Sequence, residues 1–239
     1  MSLPVPAPAF TGPARCLLGT LSSRPGLFVL SGHPESSRLS HYFLAAPLLR
    51  GEVVLFLDAA NCFNPYRLVV FAEQCRRPPA QFLGRVRISR AFTCFQLAEL
   101  IERTPAAARR FRARRVVVAG MPDIFDDEEL PAAEAKAAFT RSLDELRRWP
   151  EQGLTALIFS DAPPRLSPLG TWLRGELERQ ATEAYRLEES PAGLCLREAK
   201  TREVEHGTHG RDFSPADRAD PGALRQVPAR PAPRRPAGA

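Results

Sequence analysis

Five short apolar runs, each separated from the next by a stretch of helical periodicity, constrain this chain more than any other feature. They are residues 26–31, 52–58, 84–88, 115–120 and 154–160, rich in Val, Leu, Ile or Phe and bounded by polar or breaker residues. Residues 38–49 place Leu39, Tyr42, Phe43 and Ala46 on one helical stripe. Pro65 opens a helix that runs through Leu68 and Phe71 to Cys75. Residues 95–103 predict a short helix with Phe95, Leu97, Ala98 and Ile101. Pro131 begins a longer one, in which Ala135, Phe139, Leu143, Leu146 and Trp149 recur at helical spacing. A further helix over 167–181 buries Leu169, Trp172, Leu173 and Leu177. Strands separated by helices predict an α/β fold, a mostly parallel central sheet with helices on both faces. Residues 183–188 and 194–197 flank Glu189-Ser190-Pro191-Ala192-Gly193 and predict a closing C-terminal antiparallel hairpin.

The boundaries follow from where this pattern starts and stops. Residues 1–14 read as a flexible, Pro/Ala-rich arm and residues 15–200 as one core domain, for which 239 residues at 44% hydrophobic content supply enough apolar side chains. From Thr201 the apolar periodicity ends. Residues 225–239 hold four arginines, four prolines and no acid, so 201–239 reads as a disordered Pro/Arg-containing tail. No run reaches the ~20 apolar residues of a membrane span, and the first residues lack a basic region followed by an apolar core. The five cysteines, at 16, 62, 75, 94 and 195, are odd in number and never spaced Cys-x-x-Cys. That pattern fits a reduced, cytoplasmic protein without a zinc or iron–sulfur site.

The first strand runs into Ser31-Gly32-His33-Pro34-Glu35-Ser36-Ser37-Arg38-Leu39. This is where a phosphate loop would sit, normally reading Gly, four variable residues, then Gly-Lys-Ser/Thr. Here Ser37, Arg38 and Leu39 fill the last three places. The backbone around Gly32, Ser36 and Ser37, with Arg38, is the candidate nucleotide-binding set, and an ordinary strand-to-helix turn is the alternative. No second phosphate-loop motif occurs in the chain.

The order of motifs resembles the RecA/RadA-type recombinase ATPase core. The resemblance is carried by Val53-Val54-Leu55-Phe56-Leu57-Asp58-Ala59-Ala60-Asn61-Cys62-Phe63-Asn64-Pro65-Tyr66-Arg67-Leu68 and by Val86-Arg87-Ile88-Ser89-Arg90-Ala91-Phe92. It spans about residues 15–200 and implies a RecA-like P-loop NTPase core. It also implies where the chemistry should be. The family's phosphate-loop lysine falls at Arg38, its magnesium-binding hydroxyl at Leu39, its water-activating glutamate at Ala60, and the aspartate ending its Walker B strand near Gly120. Leucine offers magnesium no oxygen and alanine takes no proton. Asp58 and Asp123 remain nearby: Asp58 to orient a loop or accept a hydrogen bond, Asp123 to shape a turn or cap a helix, with a reach toward a metal as the alternative. No catalytic residue and no metal site is assigned. The resemblance therefore implies a pseudo-ATPase, with ATP bound through Arg38 as the alternative.

Two further segments bear on partners. Arg109-Arg110-Phe111-Arg112-Ala113-Arg114-Arg115 is the densest basic stretch of a chain of net charge +6. Arg109, Arg110, Arg112, Arg114 and Arg115 are candidates for DNA contact, for an acidic protein surface, or for a solvated helix end. Asp126-Asp127-Glu128-Glu129 reads as a solvated loop leading into a helix. The acidic segment beyond Gly120 and the short Ala162-Pro163-Pro164-Arg165-Leu166 argue against DNA binding through the family's usual loops. The expectation is a non-hydrolysing, recombinase-like accessory or scaffold protein of DNA repair or recombination. Its partner would be a related recombinase or another DNA-processing protein, with nucleotide-independent DNA binding as a further alternative. A homo-oligomer through Ala9-Phe10-Thr11-Gly12 is a weaker match to the family's Phe-x-x-Ala anchor.

Overall fold

A computed structural model describes residues 24–161, 167–190 and 193–201, with side chains through 187 and over 197–199. The arm, Phe10, the 162–166 loop and residues 202–239 of the tail lie outside the described residues. All described residues belong to the first of two units into which the chain divides, Met1–Glu203.

Seven strands form one sheet: β1 Gly26–Ser31, β2 Val54–Asp58, β3 Val86–Arg90, β4 Arg115–Ala119, β5 Thr155–Phe159, β6 Glu183–Ser190 and β7 Gly193–Thr201. Their order is β3-β2-β4-β5-β1-β6-β7. Every pairing is parallel except β6 with β7, which closes the sheet as an antiparallel hairpin. The helices are α1 Ser36–Leu39, α2 Ala45–Leu49, α3 Pro65–Gln74, α4 Pro79–Leu83, α5 Cys94–Phe111, α6 Ala132–Arg148 and α7 Pro168–Gln180. Among the described residues no helix is long and apolar enough to cross a membrane.

The two-residue period of each strand divides the core into two layers. Leu27, Val29, Leu55, Leu57, Val116, Val118, Ala156 and Ile158 face α5, α6 and α7, meeting Leu97, Ile101, Phe139, Leu143, Leu173 and Leu177. Their neighbours Phe28, Leu30, Val54, Phe56, Val117, Leu157 and Phe159 face the other way, onto Leu39, Phe43, Leu48, Leu68, Phe71 and Phe82. The four central strands β1, β2, β4 and β5 are thus apolar on both faces, which is why their sequences show runs rather than alternation.

The second strand begins at Val54 rather than residue 52, the hairpin strands run over Glu183–Ser190 and Gly193–Thr201, and three further elements differ from the sequence expectation. The helix over 38–49 is broken into α1, a 3-10 turn Ser40–Phe43, and α2. Pro47 has no N–H for the Phe43 carbonyl, and its ring crowds that carbonyl, so a continuous helix is interrupted there. The short helix over 95–103 is instead 18 residues long and runs through Pro105 to Phe111. The third strand begins at Val86 rather than residue 84, because Pro79 starts α4 and Gly84 ends it, its N–H donating to Ala80 O at 2.9 Å.

The register sets two opposite rims. Leu30 pairs Phe159, Phe159 pairs Ala119, and Ala119 pairs Asp58, so the turns after β1, β2, β4 and β5 meet at one rim. Gly26 pairs Thr155 and Thr155 pairs Arg115, so the segments entering β1, β4 and β5 meet at the other. At ~3.3 Å per residue, five-residue strands separate the rims by roughly 17 Å.

Candidate functional site

At the C-terminal rim, the chain leaves β1 through Gly32, whose φ of +100° is open to glycine. A Cβ there would also approach Leu187 O to 3.1 Å, so the turn lies tight against β6. The turn is tied to itself. Ser36 Oγ donates to His33 O at 2.8 Å and accepts from His33 N at 3.2 Å, and Glu35 N donates to His33 Nδ1 at 3.0 Å. The next N–H, that of Ser37, donates to Asp161 Oδ1 at 2.6 Å. An amide at this position in a phosphate loop points at the anion. Here it points at a carboxylate of the same chain.

Asp161 is itself held. Its N–H donates to Asp123 Oδ2 at 2.9 Å, and Asp123 Oδ1 accepts from Ser160 Oγ at 3.1 Å and pairs with Arg174 Nη2 at 2.5 Å. Arg174 Nη1 also bonds Ser160 Oγ. Burial pushes both carboxyls above the usual range. For Asp123 the Arg174 charge opposes that shift; for Asp161 the chief opposition is hydrogen bonding to Ser37, with Arg174 and Arg38 adding to it. Arg174 reaches this cluster from the first turns of α7, after Ser167 caps that helix by accepting from Gly170 N at 2.8 Å.

Asp58, fully buried at the end of β2, accepts from Cys62 N at 2.9 Å and Phe63 N at 3.1 Å, and faces Arg90 Nε at 3.4 Å. It therefore folds the turn over 59–63 rather than pointing into the rim. Cys62 donates its thiol to Ser37 O at 3.3 Å; burial first, then Asp58, pushes the thiol up to about 12, so it stays protonated. His41, also fully buried, joins the same two segments. Asn64 N donates to Nε2 at 2.8 Å, which leaves Nδ1 to carry the proton and donate to Arg38 O at 3.0 Å. Burial lowers its pKa, in keeping with a neutral ring packed against Phe56 and Phe63.

Leu39, Ala60, Gly120 and Arg38 stand at the positions that correspond to the resembled family's catalytic groups. Leu39 is packed in the core beside Phe43 and Phe159 and presents no oxygen at the loop. Ala60 carries only a methyl group. Gly120 has φ +88°, and a Cβ there would meet Ala60 N at 2.7 Å and the Ala59 carbonyl carbon at 2.8 Å. The β2 turn thus occupies the space that an aspartate at Gly120 would need. Arg38 is exposed and paired with Glu35 at 2.7 Å. Among the described residues no group of three or more His, Cys, Asp or Glu could hold a metal. The acidic run is partly structural: Asp126 Oδ1 accepts from Ser167 Oγ at 2.5 Å and Asp127 Oδ1 from Glu129 N at 3.0 Å.

The candidate arginines lie at the opposite rim. Arg109 and Arg110 end α5, Arg112 caps it, and Arg115 begins β4. Arg115 is set apart, mostly buried and ion-paired with Glu52; burial lowers its pKa. Arg110 lies over the Phe111 ring at 5.4 Å, and Arg87 over the same ring at 5.1 Å. Arg109, Arg112 and Arg114 line a groove with Pro25, Pro105 and Gly153, of about 730 Å³. A second hollow of about 560 Å³ adjoins it, sharing Pro25, Arg112, Arg114 and Gly153.

The Ser37–Asp161 bond, 124 residues apart in sequence, and the part of Arg174 have no local signal. The only hint was Ser160-Asp161 directly after a buried strand, at the rim where ligands bind in open α/β sheets. The chain matches no protein-family model, and no curated protein matches it.

Proposed function

We propose that this chain is a non-hydrolysing, RecA/RadA-type recombinase-like scaffold of DNA repair or recombination, a pseudo-ATPase that works through protein and DNA contacts. One observation carries the reading. The amide that would face a nucleotide phosphate is taken by Asp161, a carboxylate anchored by Asp123, Ser160 and Arg174. A phosphate brought to the same amide would meet that negative charge in a partly dry setting. The resulting repulsion opposes binding more strongly than it would in water. The closed space at Gly120 and the apolar Leu39 add to this, since phosphoryl transfer depends on preorganised charge and a positioned water.

Titration calorimetry of the full chain with magnesium and ATP tests it. The expected result is no saturable heat at millimolar ATP. Saturable binding that Arg38→Ala abolishes would instead establish Arg38 as the phosphate ligand and end the pseudo-ATPase reading.

A further inference from the structure

We propose that the arginine-lined groove at the N-terminal rim of the sheet binds the sugar-phosphate backbone of an unpaired nucleic-acid strand. The site stands at the far side of the sheet from Ser37 and Asp161. It rests on the scaffold reading only for its biological setting, not for its chemistry.

The first argument is charge. Arg24, Arg50 and Arg115 reach the same rim but are matched: Arg24 pairs with Glu183, and Arg50 and Arg115 both pair with Glu52. Arg109, Arg112 and Arg114 have no carboxylate partner among the described residues. Three guanidinium groups on one concave wall repel one another, and an anion that spans them relieves that repulsion. The α5 C-terminus contributes a partial negative charge of about half a unit, which three full positive charges exceed.

The second argument is backbone conformation. Arg112 has φ +53° at the position after the last turn of α5, where glycine is the usual residue. A side chain with a Cβ is strained there. Arginine at this place costs stability and gains nothing for the cap, whose N–H bonds to Ala108 O and Arg109 O any residue would make. What it adds is one guanidinium on the groove wall. Arg76, past the end of α3, has φ +54° as well, so it is the place on the groove wall together with the strain that singles out Arg112.

The third argument selects the ligand. The lining offers arginines with small or rigid residues, Pro25, Pro105, Ala108 and Gly153. It lacks the open aromatic or aliphatic pocket that anchors a protein partner. The nearest ring, Phe111, is covered by Arg87 and Arg110 and so holds guanidinium groups in place rather than stacking a base. Sequence-tolerant single-strand sites use a positively charged groove that tracks the backbone, and the arginine-lined groove has that form. Planar guanidinium forks suit phosphate oxygens. Without base stacking or base-edge contacts, binding is indifferent to sequence.

Fluorescence anisotropy of the full chain with labelled oligo-dT and oligo-U, at 50 to 200 mM salt, tests the proposal. Three phosphate contacts predict a slope of log K against log salt about 2 units steeper than in the triple variant Arg109→Gln, Arg112→Gln, Arg114→Gln. Across that salt range these contacts account for a roughly 20-fold loss of affinity. Arg112→Gly guards against misfolding: it relieves backbone strain, stays folded, and lowers the slope by about 0.7. Oligo-dT and oligo-U binding alike fits a backbone ligand; a tenfold preference for one narrows it to DNA or RNA within the same proposal. Three outcomes would overturn it: no binding by the parent chain, a folded triple variant with unchanged slope, or displacement of the strand by polyglutamate at equal charge. The second would move the contact elsewhere, such as the Arg/Pro tail, and the third would make the groove an acidic-protein site. Magnesium-ATP added to the same titration leaves anisotropy unchanged under the scaffold reading; a change would refute that reading and leave the groove standing.

Discussion

Gly120→Ala provides the sharpest check on the close packing of the C-terminal rim. Gly120 has φ +88°, and its added Cβ would fall 2.7 Å from Ala60 N and 2.8 Å from the Ala59 carbonyl carbon. Those are backbone atoms of the turn that Asp58 ties down, so they cannot rotate away. The left-handed backbone alone costs a non-glycine residue about 1–2 kcal/mol. Forcing a methyl group into packed backbone adds roughly 1–3 kcal/mol. A total near 3 kcal/mol lowers the melting temperature of a domain this size by about 6–12 °C. Gly153 is the internal control: its φ is +76°, yet a Cβ there meets nothing within 4 Å. Gly153→Ala should therefore incur only the backbone cost, about 1–2 kcal/mol. Urea unfolding followed by far-UV circular dichroism, on both variants and the parent, separates the two contributions. If Gly120→Ala costs no more than Gly153→Ala, the overlap argument is wrong and the rim has room for the missing carboxylate. Gly120→Asp carries the same Cβ, so restoring the carboxylate should destabilise the chain without creating activity.

His41 sets a pH dependence. Its folded pKa lies below the ordinary 6.5, so the unfolded chain binds the proton first. This contribution is complete above about pH 6.5 and is lost as pH falls through that value toward the folded pKa. Urea midpoints at pH 7.5, 6.5 and 5.5 should fall in the parent more than in His41→Gln; parallel curves would contradict the neutral, doubly bonded ring. Asp123 and Asp161, with raised pKa values, act in the opposite sense at lower pH, which is why the comparison is between variants. At α7, a Cβ on Gly170 would collide with Oδ2 of Asp126, the carboxylate whose Oδ1 holds Ser167. Gly170→Ala should destabilise by roughly 1 kcal/mol, lost hydrogen bonding outweighing better helix propensity. In an Asp126→Ala background the same change should turn stabilising, and a double-mutant cycle with no change of sign would refute the contact.

The four central strands were legible because both their faces are buried, leaving continuous apolar runs such as Val116-Val117-Val118. The hairpin was legible from the break at Pro191-Ala192-Gly193. The broken helix after β1 was less so, although Pro47 marks it, because the stripe through Leu39 and Phe43 continues on either side of the break. The alternation in Arg85-Val86-Arg87-Ile88 predicts a strand that takes in residues 84 and 85, but the Pro79 and Gly84 helix signals outweigh it. At the site, departures from the resembled family's pattern could be read from single positions: Leu39, Ala60 and Gly120. The contacts formed around them could not. Asp161 meets Ser37, Glu52 takes Arg115, and Gly120 faces Ala59 and Ala60 only because parallel strands bring distant turns to a common rim. Sequence order carries no record of that adjacency.

The two rims bear on how such a chain could shed one activity and keep another. The sheet is held by side chains between the rims, in layers that use none of Ser37, Asp58, Asp123 or Asp161 for apolar packing. Replacing loop chemistry therefore leaves the folding free energy of the layers intact. A loop stripped of its ligand would still expose amides and hydroxyls that need partners, at about 1–3 kcal/mol for each buried group left unmade. Asp161 on the Ser37 amide, Asp123 on the Asp161 amide, and Asp58 on two more amides meet that need for the backbone, while Ser37 Oγ, Ser40 Oγ and Arg174 Nε stay without a partner among the described residues. At the other rim the accounting runs in reverse. Arg109, Arg112 and Arg114 keep charges unmatched, and Arg112 keeps a strained backbone that a glycine would relieve. On the proposed reading, a rim whose amides are met from within has less need of a ligand than one whose arginines stay unpaired. This contrast ties the proposed loss of nucleotide chemistry to the proposed groove without any contact between them.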